Sequence, residues 1–171
     1  MHEGLIRRAV PGDAAAIAAL HAASWRSAYR GILPDAFLDG PIAANRRAVW
    51  EARLPALAPG DVVLLAPGHG FAAAFACQDG DALLDNLHVA PVARGGGLGA
   101  ALLRAVAAGL LAGGARAMHL WVFDANPRAR AFYARHGGVE TGRRLERLAG
   151  IDVPETRIAW RDLAPLAQAP R

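Results

Sequence analysis

The sequence predicts a mixed α/β domain, with helices packed on a sheet of both parallel and antiparallel strands. Three observations lead there. Strand-like and helix-like runs alternate through the second half of the chain. Three strand-like runs in the middle are separated only by tight turns. No linker and no internal repeat on the scale of about 20–50 residues divides the 171 residues. A chain of this length suits one core, so residues 1–165 are expected to form a single domain and residues 166–171 a frayed tail.

The elements follow from local pattern. Leu5–Val10 reads as a first strand, broken by Pro11-Gly12. Asp13 is placed to cap a helix over Ala14–Tyr29, where Ile17, Leu20 and Ala23 recur at helical spacing. Gly31 and Pro34 end it. Helical pieces follow over Pro34–Leu38 and Ile42–Leu54. Val62–Leu65, Phe71–Gln78 and Ala82–Val89 read as strands, joined by the turns at Pro67–Gly70 and Asp79–Asp81. Leu98–Ala112 is a helix stopped by Gly113-Gly114. Ala117–Phe123 is a strand, and Asn126–His136 is a helix with Pro127 at its first position. Val139–Leu148 and Glu155–Trp160 complete the set.

Composition narrows the class. The apolar fraction is 54% and the charged fraction 20%, which is enough to build a core and argues against disorder. No apolar run approaches the ~20 residues of a membrane span. The start, Met1-His2-Glu3-Gly4, lacks the basic-then-apolar pattern of a leader, so a cytoplasmic protein is expected. Cys77 is the only cysteine, which leaves no internal disulfide and no cysteine-based metal site. All cationic side chains apart from histidine are arginine, and they are scattered. Without a basic block and interleaved aromatics, nucleic acid is not the expected partner.

The most informative segment is Arg94-Gly95-Gly96-Gly97-Leu98-Gly99, between a strand and a helix start. Glycines let a ligand approach the backbone closely, and the unpaired N–H groups of a helix start attract an anion such as a diphosphate. A P-loop is ruled out by the absence of lysine. A dinucleotide turn is met loosely by Gly95, Gly97 and Ala100. It lacks the acidic residue expected about twenty positions on, where Ala115–His119 stands, and the connection from Val89 is long.

Arg94, Gly97 and Gly99 satisfy R-x-x-G-x-G, the acetyl-CoA pyrophosphate signature of the GNAT N-acetyltransferase superfamily, which this chain resembles. The resemblance extends to Asp85–Pro91 before the turn and to Asn126–Tyr133, an N-x-x-A-x-x-F-Y helix, after it. It also covers Ile6–Ala9 and Gly12–Ala14 near the beginning. One departure is visible: Gly137-Gly138-Val139 stands where the family usually has Gly-Phe.

The resemblance implies a GNAT fold with central strands that splay apart, acetyl-CoA as acyl donor, no metal, and direct transfer to an amine. Leu87 and Val89 would bond the pantetheine arm through their backbone, and an N–H of Leu87 or His88 would polarise the thioester carbonyl. Gly95, Gly96, Gly97, Leu98, Gly99 and Ala100 would cradle the diphosphate with Arg94. Asn126 would bond the arm, cap its helix, or do both. Arg130 reaches the phosphates or lies on an exposed helix face. Tyr133 is the implied acid for the leaving thiolate, against the alternative of an amphipathic core tyrosine. Asp85 is either a base, a site for the acceptor's ammonium, or an exposed turn residue. Strand alternation puts it on the face of Leu87 and Val89 unless a bulge intervenes. His88 is a base or a packing residue, and water could replace both. Trp25 and Tyr29, one helical turn apart, either line the acceptor pocket or pack on the sheet. A small-molecule amine is the expected acceptor, with protein N-termini or lysines next, and a non-catalytic coenzyme sensor as the rival reading. Homodimers are frequent in the family, and the sequence leaves the oligomeric state open.

Overall fold

The computed structural model describes residues 5–168. Seven strands form one sheet in the order β1-β2-β3-β4-β5-β7-β6. They are β1 (Arg7–Arg8), β2 (Val62–Ala66), β3 (Gly70–Ala76), β4 (Ala82–Val89), β5 (Met118–Phe123), β6 (Val139–Leu148) and β7 (Ile151–Trp160). The helices are α1 (Ala14–Ala28), α2 (Asp35–Asp39), α3 (Ile42–Arg53), α4 (Leu98–Ala112), α5 (Pro127–Arg135) and α6 (Ala164–Gln168). Every neighbouring pair is antiparallel except β4 and β5.

β2 shows how the layers arise. All five of its residues are apolar and buried, as expected of a strand covered on both faces. Val62, Leu64 and Ala66 face a core built on α4 with Leu102, Leu103, Val106 and Leu110. Val63 and Leu65 face Ile17 of α1 and Trp50 of α3. A third apolar group joins Leu33 and Leu38 to Phe123 and Val153 at the far end of β5 and β7.

Apart from shifts of one or two residues at element ends, the structure departs from the sequence reading at four points. β1 pairs only at Arg7 and Arg8, because Pro11–Asp13 turns into a 3₁₀ helix. Asp13 makes no side-chain cap to α1. Its carboxylate instead accepts from the Val10 N–H at 2.8 Å and pairs with Arg7 at 2.7 Å. β7 begins at Ile151, not Glu155, and tolerates Pro154. The Pro154 carbonyl accepts from Asp124 N just past the last β5 pair, Phe123↔Glu155, so the missing N–H falls beyond the ladder's end. The segment expected to fray at residue 166 continues as α6 through Gln168, with Leu163 and Leu166 buried in the α4 core. Residues 169–171 lie outside the described residues.

The site is positioned by one topological fact. β4 and β5 run parallel but share a single register pair, Leu83↔His119. Beyond it the strands separate, and the gap opens toward Val89 and Phe123.

Candidate functional site

A cleft of about 650 Å³ fills that gap, with the glycine turn at one end and Tyr29 and Asp85 among its walls. At the turn, Gly95 and Gly97 have φ of +86° and +85°, a left-handed conformation that favours glycine. The first helical bond of α4 is Ala101 N to Gly97 O at 3.0 Å. The N–H groups of Leu98, Gly99 and Ala100 precede it and have no helical acceptor. All three residues line the cleft. Leu98 and α4's apolar face hold this helix start against the sheet. Arg94 spans the turn, donating from Nε to Val89 O at 3.1 Å and from Nη1 to Ser27 Oγ at 3.1 Å. Gly95 and Gly97 also line the cleft; Gly96 does not.

Strand β4 has one edge on β3. Ala90 N donates to His69 O at 2.7 Å, and a Cβ on Gly70 would lie 2.6 Å from His88 O. His88 and Ala90 therefore direct their backbone groups to β3. Alternation turns those of Leu87 and Val89 toward the gap. That makes Leu87, and not His88, the strand's N–H donor at this level. The carbonyl of Val89 is the one that receives Arg94.

Of the two arrangements open to Asp85, the bulge is the one present. Unbroken alternation groups it with Leu87 and Val89. The β3–β4 register instead steps from Ala73↔Asn86 to Ala74↔Leu84, which leaves Asp85 as the extra residue of a β-bulge. Leu84, Leu87 and Val89 face the α4 core, while Asp85 turns to α3. Its Oδ2 accepts from Arg53 Nη1 at 2.6 Å and from Asn86 Nδ2 at 2.7 Å.

His88 also faces α1 and α3. Its Nδ1 lies 3.0 Å from Ser24 Oγ, and its ring stacks at 4.7 Å on His21 and 5.3 Å from Phe71. Burial, then the charges of Arg46 and Arg94, push its pKa down to about 3. His21 is pushed down further, again by burial first. The Trp50 indole N–H donates to His21 Nδ1 at 3.0 Å. Indole only donates, so the His21 proton sits on Nε2.

On the opposite wall, Tyr133 of α5 lines the cleft, and its hydroxyl takes no protein hydrogen bond among the described residues. Burial, with Tyr29 nearby, raises its pKa. Tyr29 also lines the cleft, 4.7 Å from Phe123, and burial pushes it up to about 12. Asn126 both lines the cleft and caps α5, accepting from Ala129 N at 3.1 Å.

Besides Gly96, two expected residues lie outside the cleft lining. Trp25 is packed between His21, Tyr29 and Phe37 and does not line the cleft. Arg130 points to β6, where its guanidinium binds Glu140. Arg128 lines the cleft in its place. Two arginines at the end of α1 and just after it hold the α1–α2 connection: Arg26 donates to Leu38 O at 2.8 Å, and Arg30 pairs with Asp35 and Asp39 at 2.9 and 2.7 Å. Ser24, Ser27 and Arg128 line the cleft, and Arg53 bonds to Asp85 in its wall, without having been singled out in the sequence.

The departure at Gly137-Gly138 has a packing reason. A Cβ on Gly138 would fall 2.5 Å from Ile158 Cγ2 and 2.8 Å from Trp160 Cζ2. Trp160 occupies that space, with its Nε1 donating to His136 O at 2.8 Å. Among the described residues no three His, Cys, Asp or Glu side chains gather as a metal site, and no helix is long and apolar enough to cross a membrane.

Comparison with known proteins bears on the family and the fold. The chain is 27% identical over 169 residues to the uncharacterized N-acetyltransferase YuaI of Bacillus subtilis, covering 94% of this chain and 95% of that one. It is 28% identical to the GCN5-related N-acetyltransferase of Rhodopseudomonas palustris, with a TM-score of 0.71 over 90% of this chain and 92% of that one. The PaiA N-acetyltransferase of Thermoplasma acidophilum, solved in complex with coenzyme A, shares the fold at 18% identity. Its TM-score is 0.68, with 88% of this chain and 96% of that one covered. The model of the acetyltransferase (GNAT) family matches residues 23–138, well over half of the chain, and the protein belongs to that family.

Proposed function

We propose that the protein transfers the acetyl group of acetyl-CoA directly to the primary amine of a small molecule. The observation that carries this reading is the cleft itself. A helix start with three free N–H groups stands at one end of the β4–β5 gap, and the unpartnered Tyr133 hydroxyl faces the same space. The diphosphate would rest on Gly95–Ala100 with Arg94 and Arg128 beside it. The pantetheine arm would run along the Leu87 and Val89 backbone, with Asn126 across the gap. The Leu87 N–H would stabilise the oxyanion as the amine adds to the thioester carbon. The C–S bond then breaks, the thiolate takes the Tyr133 proton, and the proton shed by the attacking nitrogen returns to Tyr133 through water.

The amine must first lose its own proton, since an alkylammonium has a pKa near 10.4. His88, held near 3, is neutral but a weak acceptor at neutral pH. Asp85, bonded to Arg53, suits an ammonium better than a proton in flight. Water in the cleft is the proton's route in this reading. The packing of His88 and Trp25 favours structural roles for both.

The test is a thiol-release assay with acetyl-CoA across polyamines, amino acids, aminoglycosides and peptides, with mass detection of the product. Acetylated small amines, formed one per thiol released, support the proposal. Turnover confined to peptides would favour a protein N-acetyltransferase. Coenzyme binding without turnover on any amine would favour a sensor module.

A further inference from the structure

Three of the four tryptophans are packed against other rings: Trp25 on Tyr29, Trp50 on Phe71 and Trp160 on Tyr133. Trp121 is the exception. It is half-buried, lines the cleft, and meets no aromatic ring among the described residues. What it meets is Arg144 of β6, whose guanidinium carbon stands 4.2 Å from the ring centroid. Glu155 of β7 holds Arg144 there, accepting from its Nε at 2.8 Å.

The register of the sheet puts this ring across the gap from Asp85. Alternation along β5 sends Met118, Leu120 and Val122 into the α4 core. Trp121 therefore lies on the opposite face, as does Phe123, which meets Tyr29. The bulge turns Asp85 to that same face, toward α3. Leu83↔His119 is the register pair that β4 and β5 share. Two residues further along each strand stand Asp85 and Trp121, where the strands begin to part. Both line the cleft. Paired strands lie about 4.8 Å apart, and the gap at this level has only begun to widen.

A carboxylate and an aromatic surface so placed select between amines. Asp85 offers the ammonium its counter-charge. The Trp121 ring already has a guanidinium on one face, which disfavours a second cation on the other. An uncharged planar group suits the surface that the ring presents to the cleft, through apolar burial and offset stacking. Arg144 also fixes the plane of the indole, so less side-chain freedom is lost on binding.

We infer that the acceptor is a primary amine joined by a short linker to an aromatic ring, with Trp121 as the surface for that ring and Asp85 as the partner of the ammonium. This rests on the acetyl-transfer reading above and names its substrate class. The two contacts differ in what they read: Asp85 takes any amine, and Trp121 selects the body attached to it.

The experiment measures kcat/KM in the acetyl-CoA thiol-release assay for benzylamine, phenethylamine and phenylpropylamine. Each is set beside its cyclohexyl counterpart and the ring-free alkylamine of the same linker. At least one aryl amine is expected to exceed its ring-free counterpart by roughly 10- to 100-fold, the range for burying a group of that size. It should exceed its cyclohexyl counterpart by roughly 2- to 10-fold, the range for an aromatic pair beyond its buried area. Trp121→Leu should bring the aryl-to-cyclohexyl ratio close to one, and Trp121→Phe should keep part of it, with the coenzyme KM unmoved in both. Should the Leu variant lose the native circular dichroism spectrum, the reduced ratio in Trp121→Phe carries the comparison. Aryl amines no better than their cyclohexyl counterparts throughout would overturn the inference, as would a ratio that survives Trp121→Leu. So would a coenzyme KM that rises with the substitution. If only amines without an aromatic ring are acetylated, this inference falls and acetyl transfer stands. If coenzyme A binds and no amine of any kind is acetylated, both fall.

Discussion

Arg53 Nη1 donates to Asp85 Oδ2 at 2.6 Å across 32 residues of sequence, so this cleft carboxylate is held in place by the fold itself. Oδ2 also receives Asn86. A carboxylate so engaged is suited to positioning an ammonium. Asp85→Asn is therefore expected to raise the acceptor KM by roughly 10-fold, the scale of a lost charged hydrogen bond. The change in kcat should be smaller than the ~10²-fold that marks loss of a proton-transfer group. Steady-state kinetics with the acceptor varied would separate the two. A loss confined to kcat would return Asp85 to the role of base.

Tyr133 differs in both respects. Its hydroxyl has no protein partner among the described residues, so Tyr133→Phe should leave folding and coenzyme affinity nearly unchanged. Turnover should fall by ~10²–10⁴-fold, as for removal of a general acid. The raised pKa keeps the hydroxyl protonated at every working pH. It also sets an alkaline limit to stability. Tyr29 and Tyr133 hold their protons more tightly folded than unfolded, so their contribution is complete below the ordinary tyrosine pKa near 10; that of Tyr29 is lost as pH rises toward about 12, with Tyr133 acting in the same direction. Thermal melts from pH 9 to 12 should show the decline, and Tyr29→Phe should make it shallower.

The acid side follows from His88. Its pKa is near 6.5 unfolded and about 3 folded, so the folded state binds fewer protons between those values. Stability attributable to neutral His88 is whole above pH 6.5 and drains as pH falls toward 3, with His21 acting in the same direction. Melting temperatures should fall across that window, and His88→Gln should flatten the fall. The pH profile of kcat/KM should contain no step near 6.5 assignable to His88. Such a step, abolished by His88→Gln, would show that His88 is the base after all.

The α5 arginines show what the sequence could and could not reveal. Arg128, Phe132 and Arg135 follow helical spacing and line one wall of the cleft. That phase was available from Phe132 alone, and it places Arg130 on another face, where Glu140 binds it. The glycine turn was legible because glycine at positive φ is a local requirement. The β3–β4 bulge entered only as an alternative, because local sequence does not locate it. No glycine marks Asp85-Asn86, and the extra residue is defined only by its pairing with Ala73 and Ala74. The Arg53–Asp85 pair and the Ser24–His88 contact were hidden for the same reason: each joins segments that meet only in the folded chain.

Arg128 and Arg130 can be told apart directly. Arg128→Ala is expected to weaken coenzyme A binding by roughly 10-fold through one lost charged contact, and to steepen less with salt than the wild type. Arg130→Ala should leave the affinity within about twofold, because an exposed pair with Glu140 contributes little. Calorimetric titration with coenzyme A at two salt concentrations would measure both. Equal losses would mean that Arg130 leaves Glu140 when the coenzyme binds.

Gly138 tests the fold's departure at the end of α5. An alanine there places Cβ 2.5 Å from Ile158 and 2.8 Å from Trp160, and 3.0 Å from the Tyr133 carbonyl oxygen. Ile158 is buried in the sheet and Trp160 is fixed by its bond to His136 O, so neither can yield cheaply. The expected cost of Gly138→Ala is about 1–3 kcal/mol, the range for overpacking a filled site. Gly95→Ala meets nothing within 4 Å. Its penalty is the left-handed backbone at φ +86°, about 1–2 kcal/mol, with the further effect of disturbing the turn that would receive the diphosphate. The two variants should therefore melt earlier by similar amounts yet differ in function: Gly138→Ala should keep coenzyme affinity at temperatures where it is folded, and Gly95→Ala should lose it. Chemical denaturation paired with coenzyme titration decides this. Intact affinity in a folded Gly95→Ala would remove Gly95 from the coenzyme site.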